Sequence, residues 1–179
     1  MNSNSHKMLA DYLASSFLQN VSNLSIRLFK IGCTEPDRNL ITYLKGSLRN
    51  QWFRGHNWVN SRNMILTAVK KLESKEYFTP IDYYRIGRLV HYVADAFTYA
   101  HNYHFSGNLR DHRSYEDALE ESISAAFGTS LYLSDAQQGN TEDIILKYRK
   151  QYLLAGSSAG TDSAYIKIVC SQIMLNLSS

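Results

Sequence analysis

Six histidines, at positions 6, 56, 91, 101, 104 and 112, are the residues of this chain best suited to chemistry. Three of them fall in one segment, His91-Tyr-Val-Ala-Asp95-Ala-Phe-Thr-Tyr-Ala-His101-Asn-Tyr-His104. His91 and Asp95 are four residues apart, and on a helix that spacing puts both side chains on one face, where they can bind one ion together. His112 and Glu116 repeat the spacing. Alone, such a pair on a helix is more often hydrogen-bonded or solvent-exposed than metal-bound. Two pairs on consecutive helices with His101 between them outline a multinuclear metal site inside a bundle. Imidazole and carboxylate without thiolate suit catalytic zinc better than structural zinc. His104 reads as a polar residue near a helix end.

The elements that must carry these residues are helical. Leu9, Leu13, Phe17 and Leu18 mark a first helix with Ser5 as its N-cap. Val21 to Ile31 predicts a second helix ending near Gly32, with Pro36 following. Leu40–Leu48 is a further helical stretch, and Trp58 through Leu72 carries Val59, Ile65, Val69 and Leu72 on one stripe. Thr79-Pro80 supplies an N-cap and a proline at the first helical position. The helix it opens is expected from about Ile81 to about Asn102 without a break. His101 would then lie roughly 80° around that helix from His91. Gly107 and Asn108 mark a loop, His112–Phe127 a fifth helix, and Thr141–Leu154 and Asp162–Leu177 two more.

Composition supports that picture. The chain has 179 residues, 44% of them hydrophobic and 20% charged, enough to bury a core and too apolar for wholesale disorder. Only 2 Pro and 9 Gly are a poor supply of turns for an all-β fold. The expected fold is all-α: a single helical bundle domain over residues 1–179, with about six to eight helices. A formal charge of +3 is too small for a nucleic-acid footprint, so no stable nucleic-acid partner is expected. Cys33 and Cys170 form no CxxC pair, which argues against a disulfide framework but leaves one long-range bridge open. No basic n-region opens the chain, so a cytoplasmic protein is expected, or a secreted one if a leader has been trimmed away.

At these residues the chain resembles the bacterial zinc-dependent phospholipases C. His91-x3-Asp95-x5-His101 followed by His112-x3-Glu116 is similar to their signature. Upstream, Asn4-Ser5-His6 resembles the family's first ligand histidine, and Gly32-Cys33-Thr34-Glu35-Pro36-Asp37 its Gly-x-x-x-Pro-Asp segment. Arg54-Gly55-His56 supplies a further histidine. The resemblance covers residues 6 to 116 and accounts for every histidine except His104. The family shares an all-helical fold and a trinuclear zinc site with the P1/S1 single-strand nucleases.

The resemblance implies a role for each matched residue. His56, His91 and Asp95 would hold one zinc, and His101, His112 and Glu116 a second. Asp95 would bridge to a third, bound by His6 and the N-terminal amine and carbonyl of Met1. Asp37 would act as general base or orient the attacking water, and Phe53 would contact a cationic headgroup. Mature family members begin with Trp where this chain has Met1, so two or three zinc ions are expected. The implied activity is phosphodiester hydrolysis of the phospholipase C type, a metal-activated water attacking the phosphate of a phospholipid, with at most transient membrane-surface contact.

Glu116 as last ligand, where the nucleases have Asp, and the short gap between His101 and His112 favour the phospholipase branch. A P1/S1-like nuclease or nucleotidase is the alternative, and a metal-binding helical domain without catalysis is another. Tyr83, Tyr84, Tyr99 and Tyr103 offer rings for a choline-like cation or for stacked bases, or ordinary core.

Overall fold

Residues 1–38, 56–128 and 139–178 are described in the computed structural model, and within them every regular element is helical. The helices are α1 (Ser3–Phe17), α2 (Asn23–Arg38), α3 (Trp58–Glu73), α4 (Pro80–Ala96), α5 (Leu109–Phe127), α6 (Thr141–Leu154) and α7 (Ala159–Ser178), with a 3-10 turn at Tyr99–His101 between α4 and α5. This is the all-α bundle that the periodicity predicts. The Leu40–Leu48 stretch and Phe53 lie outside the described residues.

Each amphipathic helix turns its apolar stripe to one core. Leu9 and Leu13 of α1, Phe29 of α2, Ile65 and Val69 of α3, Val90 and Val93 of α4, Ile123 of α5, Ile145 of α6 and Ile173 of α7 are all fully buried. Helices α4 and α7 are buried along most of their length. Helix α4 lies against α2 and α3, while α7 lies against α5, α6 and α1. Cys33 and Cys170 are both buried free thiols.

Helix boundaries differ from the sequence reading at several places, for reasons visible in the structure. Asn2, not Ser5, caps α1: its side chain accepts the Ser5 N–H at 2.9 Å. Helix α2 begins at Asn23 and does not stop near Gly32; it runs through Pro36 to Arg38. Gly32 is needed instead for packing, because a Cβ there would lie 2.2 Å from the Tyr84 carbonyl oxygen of α4. Gly87 reciprocates, its hypothetical Cβ falling 2.1 Å from the Phe29 carbonyl oxygen. Two glycines therefore let the α2 and α4 backbones touch, closer than any side chain allows. Helix α5 starts at Leu109, three residues before His112, on a capping box between Asn108 and Asp111.

The largest departure is in α4, which ends at Ala96 rather than running on to Asn102. Thr98 Oγ1 donates to the Ala94 carbonyl at 3.0 Å, and the Tyr99 N–H leaves the helix to reach Asp162 Oδ2 at 2.7 Å. Asn102 Nδ2 donates to the Thr98 carbonyl at 2.8 Å, and Arg149 donates to the Ala96 carbonyl. Polar groups from α6 and α7 take over the hydrogen bonds that a continuing helix would make. His101 leaves the axis of α4 as a result.

Candidate metal centre

The ends of four helices converge on Asp95, which sits one residue before the end of α4 and is fully buried. Its Oδ2 lies 2.7 Å from His56 Nδ1 and 3.2 Å from His91 Nε2. Its Oδ1 lies 2.7 Å from the Met1 amine, 3.3 Å from His6 Nε2 and 3.2 Å from His101 Nδ1. One carboxylate thus faces four imidazoles and an amine.

Each neighbour arrives by a definite route. His6 stands on the second turn of α1 and stacks on the His91 ring at 3.8 Å. His56 precedes Asn57, the N-cap of α3. Asp37 sits at the last turn of α2, where Pro36 has no N–H to give the Gly32 carbonyl and loosens the turn. The neighbouring Cys33 carbonyl accepts from His91 Nδ1 at 2.9 Å. In the neutral ring that bond leaves Nε2 as the lone-pair nitrogen, pointing at His56, Asp37 and Asp95. Ser3 Oγ donates to Asp37 Oδ2 at 3.1 Å.

Two groups of donor atoms result. One is His6, Asp37, His91 and Asp95; the other is His101, His112 and Glu116; within each, the donor atoms lie within 4.8 Å of one another. In the second, His101 Nε2 is 3.2 Å from Glu116 Oε1, and His112 Nδ1 is 3.7 Å from Glu116 Oε2. His56 joins the first through Asp95 and His91, whose Nε2 is 3.2 Å away. Asp37, expected beside the metals as a base, stands among the donors, its Oδ1 3.6 Å from His91 Nε2. All eight residues of the expected ligand set, from Met1 to Glu116, come together in this centre. The four tyrosines do not: Tyr84 donates to Glu35, Tyr83 packs on Phe78, Tyr99 packs on Phe105 and Tyr115, and Tyr103 is 81% exposed.

The charges fit a cation. Burial works against the Asp95 carboxylate, but the amine and His101, His91 and His6 together hold its pKa well below the usual range. Burial also opposes ionisation of Glu116, yet the His101 hydrogen bond and the amine lower its pKa to about 2. The Met1 ammonium, disfavoured by burial, is kept charged above its ordinary pKa by Asp95 and Glu116. It occupies the place of a positive charge between the two groups, 3.0 Å from His101 Nε2 and 3.4 Å from Glu116 Oε1. Burial drives His6 down to about 4, so its ring is a neutral donor at physiological pH. Both His6 ring nitrogens are buried without a hydrogen-bond partner among the described residues. Apart from Asp95 Oδ1, 3.3 Å from Nε2, no described polar group partners this buried ring, and a metal would complete it.

The centre opens on a cavity of ≈ 370 Å³ lined by Asp37, His56, His101, Leu109, His112, Arg113 and Glu116, among others. A wider cleft of ≈ 640 Å³, near Phe17, Phe78 and Leu177, holds no histidine. Among the described residues, no helix is long and apolar enough to cross a membrane.

No curated protein and no solved structure shows a significant match to the chain. A family model described as zinc dependent phospholipase C matches residues 5–161, which takes in all but the first two residues of α1, the helices from α2 to α6 and every histidine. With that match over most of its length, and with a buried His/carboxylate centre of the right donor chemistry, the chain belongs to the zinc-dependent phospholipase C family.

Proposed function

We propose that the protein hydrolyses the phosphodiester of a phospholipid, releasing the phosphorylated headgroup. The observation that carries this reading is one cavity lined by Asp37 of the first donor group, by His56 beside it, and by His101, His112 and Glu116 of the second. His6, His56, His91 and Asp95 would hold zinc on one side, and His101, His112 and Glu116 on the other. Asp95, with an oxygen toward each, would serve both; two ions are expected, and three if the Met1 amine is also a ligand. Zinc, when bound, lowers the pKa of water toward roughly 7 and offsets charge on the phosphoryl oxygens. Ser3 donates to the Asp37 carboxylate, which takes the proton of the attacking water as the new O–P bond forms; the P–O bond to the glycerol oxygen breaks, and that oxygen takes up a proton from solvent and leaves as the alcohol. Arg113 lines the cavity and would offer its positive charge to the phosphate.

The test is Asp37→Asn, assayed for zinc by elemental analysis and for hydrolysis of short-chain phosphatidylcholine and single-stranded DNA. The wild type is expected to cleave the lipid, and the variant to retain zinc but lose about 10²- to 10⁴-fold in rate. Loss of zinc along with rate would make Asp37 a ligand rather than the base. Cleavage of DNA alone would transfer the reading to a nuclease. Full zinc with neither substrate cleaved would leave a binding domain.

A further inference from the structure

Asp162 is fully buried in the first turn of α7, well away in sequence from every donor residue. Its Oδ2 accepts from the Tyr99 backbone N–H at 2.7 Å and from the Tyr115 hydroxyl at 2.9 Å. Its Oδ1 accepts from the Tyr152 hydroxyl of α6 at 2.7 Å. Tyr99 lies two residues before His101. Tyr115 immediately precedes Glu116 and lies three after His112. One carboxylate therefore ties together the two separate pieces of chain, the 3-10 turn and α5, that supply the whole second donor group.

A second anchor holds the other side of His101. Arg149 of α6, also buried, donates to the Ala96 carbonyl and to Oδ1 of Asn102, the residue after His101. Its guanidinium lies over the rings of Trp58, Phe97 and Tyr152 at 5.6, 5.8 and 5.1 Å. His101 is thus bracketed by Tyr99 and Asn102, both fixed by C-terminal helices that donate nothing to the centre. Buried charges are costly where packing is the only need. These two sit where they hold a bend in place.

We propose that Asp162 is a positioning residue for the second donor group: it fixes the His101 turn against α5 and so sets the affinity of His101, His112 and Glu116 for one zinc. The inference rests on the reading of those three residues as zinc ligands. Asp162 lies one residue past the segment matched by the family model.

The experiment titrates zinc into the metal-free full chain against a chromophoric chelator, with Co²⁺ absorption as a second readout of ligand geometry. Asp162→Asn exchanges one of the two accepting oxygens for an NH₂ that cannot accept, and Tyr115→Phe removes a single tether. Asp82→Asn, at the far end of α4, controls for general loss of stability. Asp162→Asn and Tyr115→Phe are each expected to weaken one zinc by about 10- to 100-fold and to change the Co²⁺ spectrum, with the remaining zinc unaffected. Wild-type binding in both variants overturns the proposal. So does equal weakening in Asp82→Asn. Should Asp162→Asn fail to fold, Tyr115→Phe decides by the same criteria. A wild type that takes up no zinc overturns the metal reading itself, whereas normal wild-type uptake with insensitive variants overturns only the role of Asp162.

Discussion

Asp37 and His91 stand on helices whose backbones cross at close range, whereas His101 comes from a one-turn bend and Glu116 from the third turn of a helix with an exposed outer face. The first group is fixed by the bundle itself: Gly32 and Gly87 seat α2 on α4, and the Cys33 carbonyl aims His91. The second borrows its rigidity from Asp162 and Arg149, on helices that carry no donor. Precision at a metal site can come from helix packing or from a buried polar tether. This centre uses both, and Asp95 is the point where they meet.

The largest effect is expected at that meeting point. Asp95→Asn removes the charge that faces His6, His56, His91, His101 and the amine. Zinc should be lost from both groups together, and hydrolysis should fall on the order of 10³-fold. Elemental analysis of the purified variant reads the outcome. A variant that kept one full zinc would show that the groups are independent, with Asp95 belonging to only one.

Gly87→Ala tests the packed side of the comparison. The added Cβ meets the Phe29 backbone, which cannot swing aside as a flexible side chain would. A cost of about 1–3 kcal/mol is expected, read as a lowered Tm of the metal-free protein. Because α2 must back away from α4, Asp37 and the Cys33 carbonyl move with it, so zinc at the first group weakens. The second group, held from α6 and α7, should bind as before. That is the reverse of the pattern expected for Asp162→Asn, and finding the same zinc weakened in both would abolish the distinction between the two groups.

The same distinction explains what could be read from the chain. The four-residue spacing of His91 with Asp95 and of His112 with Glu116 is a property of one helix, so the sequence carries it directly. Helical periodicity likewise shows which faces are buried, and Thr79-Pro80 marks the start of α4 without help from distant residues. The break after Ala96 is different. Phe97-Thr98-Tyr99 contains neither Gly nor Pro, and the helix ends there because Asp162 and Arg149, 63 and 53 residues from their backbone partners, compete for its backbone. Nothing local announces that competition, although an Arg between two tyrosine-bearing turns at 148 and 152 is an unusual member of an apolar stripe. Gly32 misleads for a related reason: a glycine that ends a helix and a glycine that admits another helix are the same letter. The Gly-x-x-x-Pro-Asp resemblance places Asp37 beside the metals, but its standing among the donors depends on how α2 continues past that glycine.

The smallest effect lies farthest from both groups. Asp82 is thirteen residues before Asp95, on the order of 20 Å along α4. Its carboxylate accepts from the Thr79 N–H at 3.1 Å and the Thr79 hydroxyl at 2.6 Å, and pairs with Arg85 at 2.8 Å and Lys75 at 3.2 Å. Burial favours its protonated form, but these bonds prevail and hold its pKa far below the ordinary carboxylate value. The unfolded chain therefore takes up a proton at a pH where the folded protein does not. The stability contributed by Asp82 is complete above the ordinary carboxylate pKa of about 4 and is lost as pH falls through the lower folded value. Asp82→Asn should cost about 1 kcal/mol near neutrality, as the loss of a cap usually does. The Tm gap between variant and wild type should then close on acidification below about pH 4. Zinc binding at pH 7 should be unchanged at both groups, because the cap secures where α4 begins and the centre depends on how α4 ends. A gap that stayed constant into acid would mean that the Asp82 charge contributes nothing and that only the shape of the cap matters.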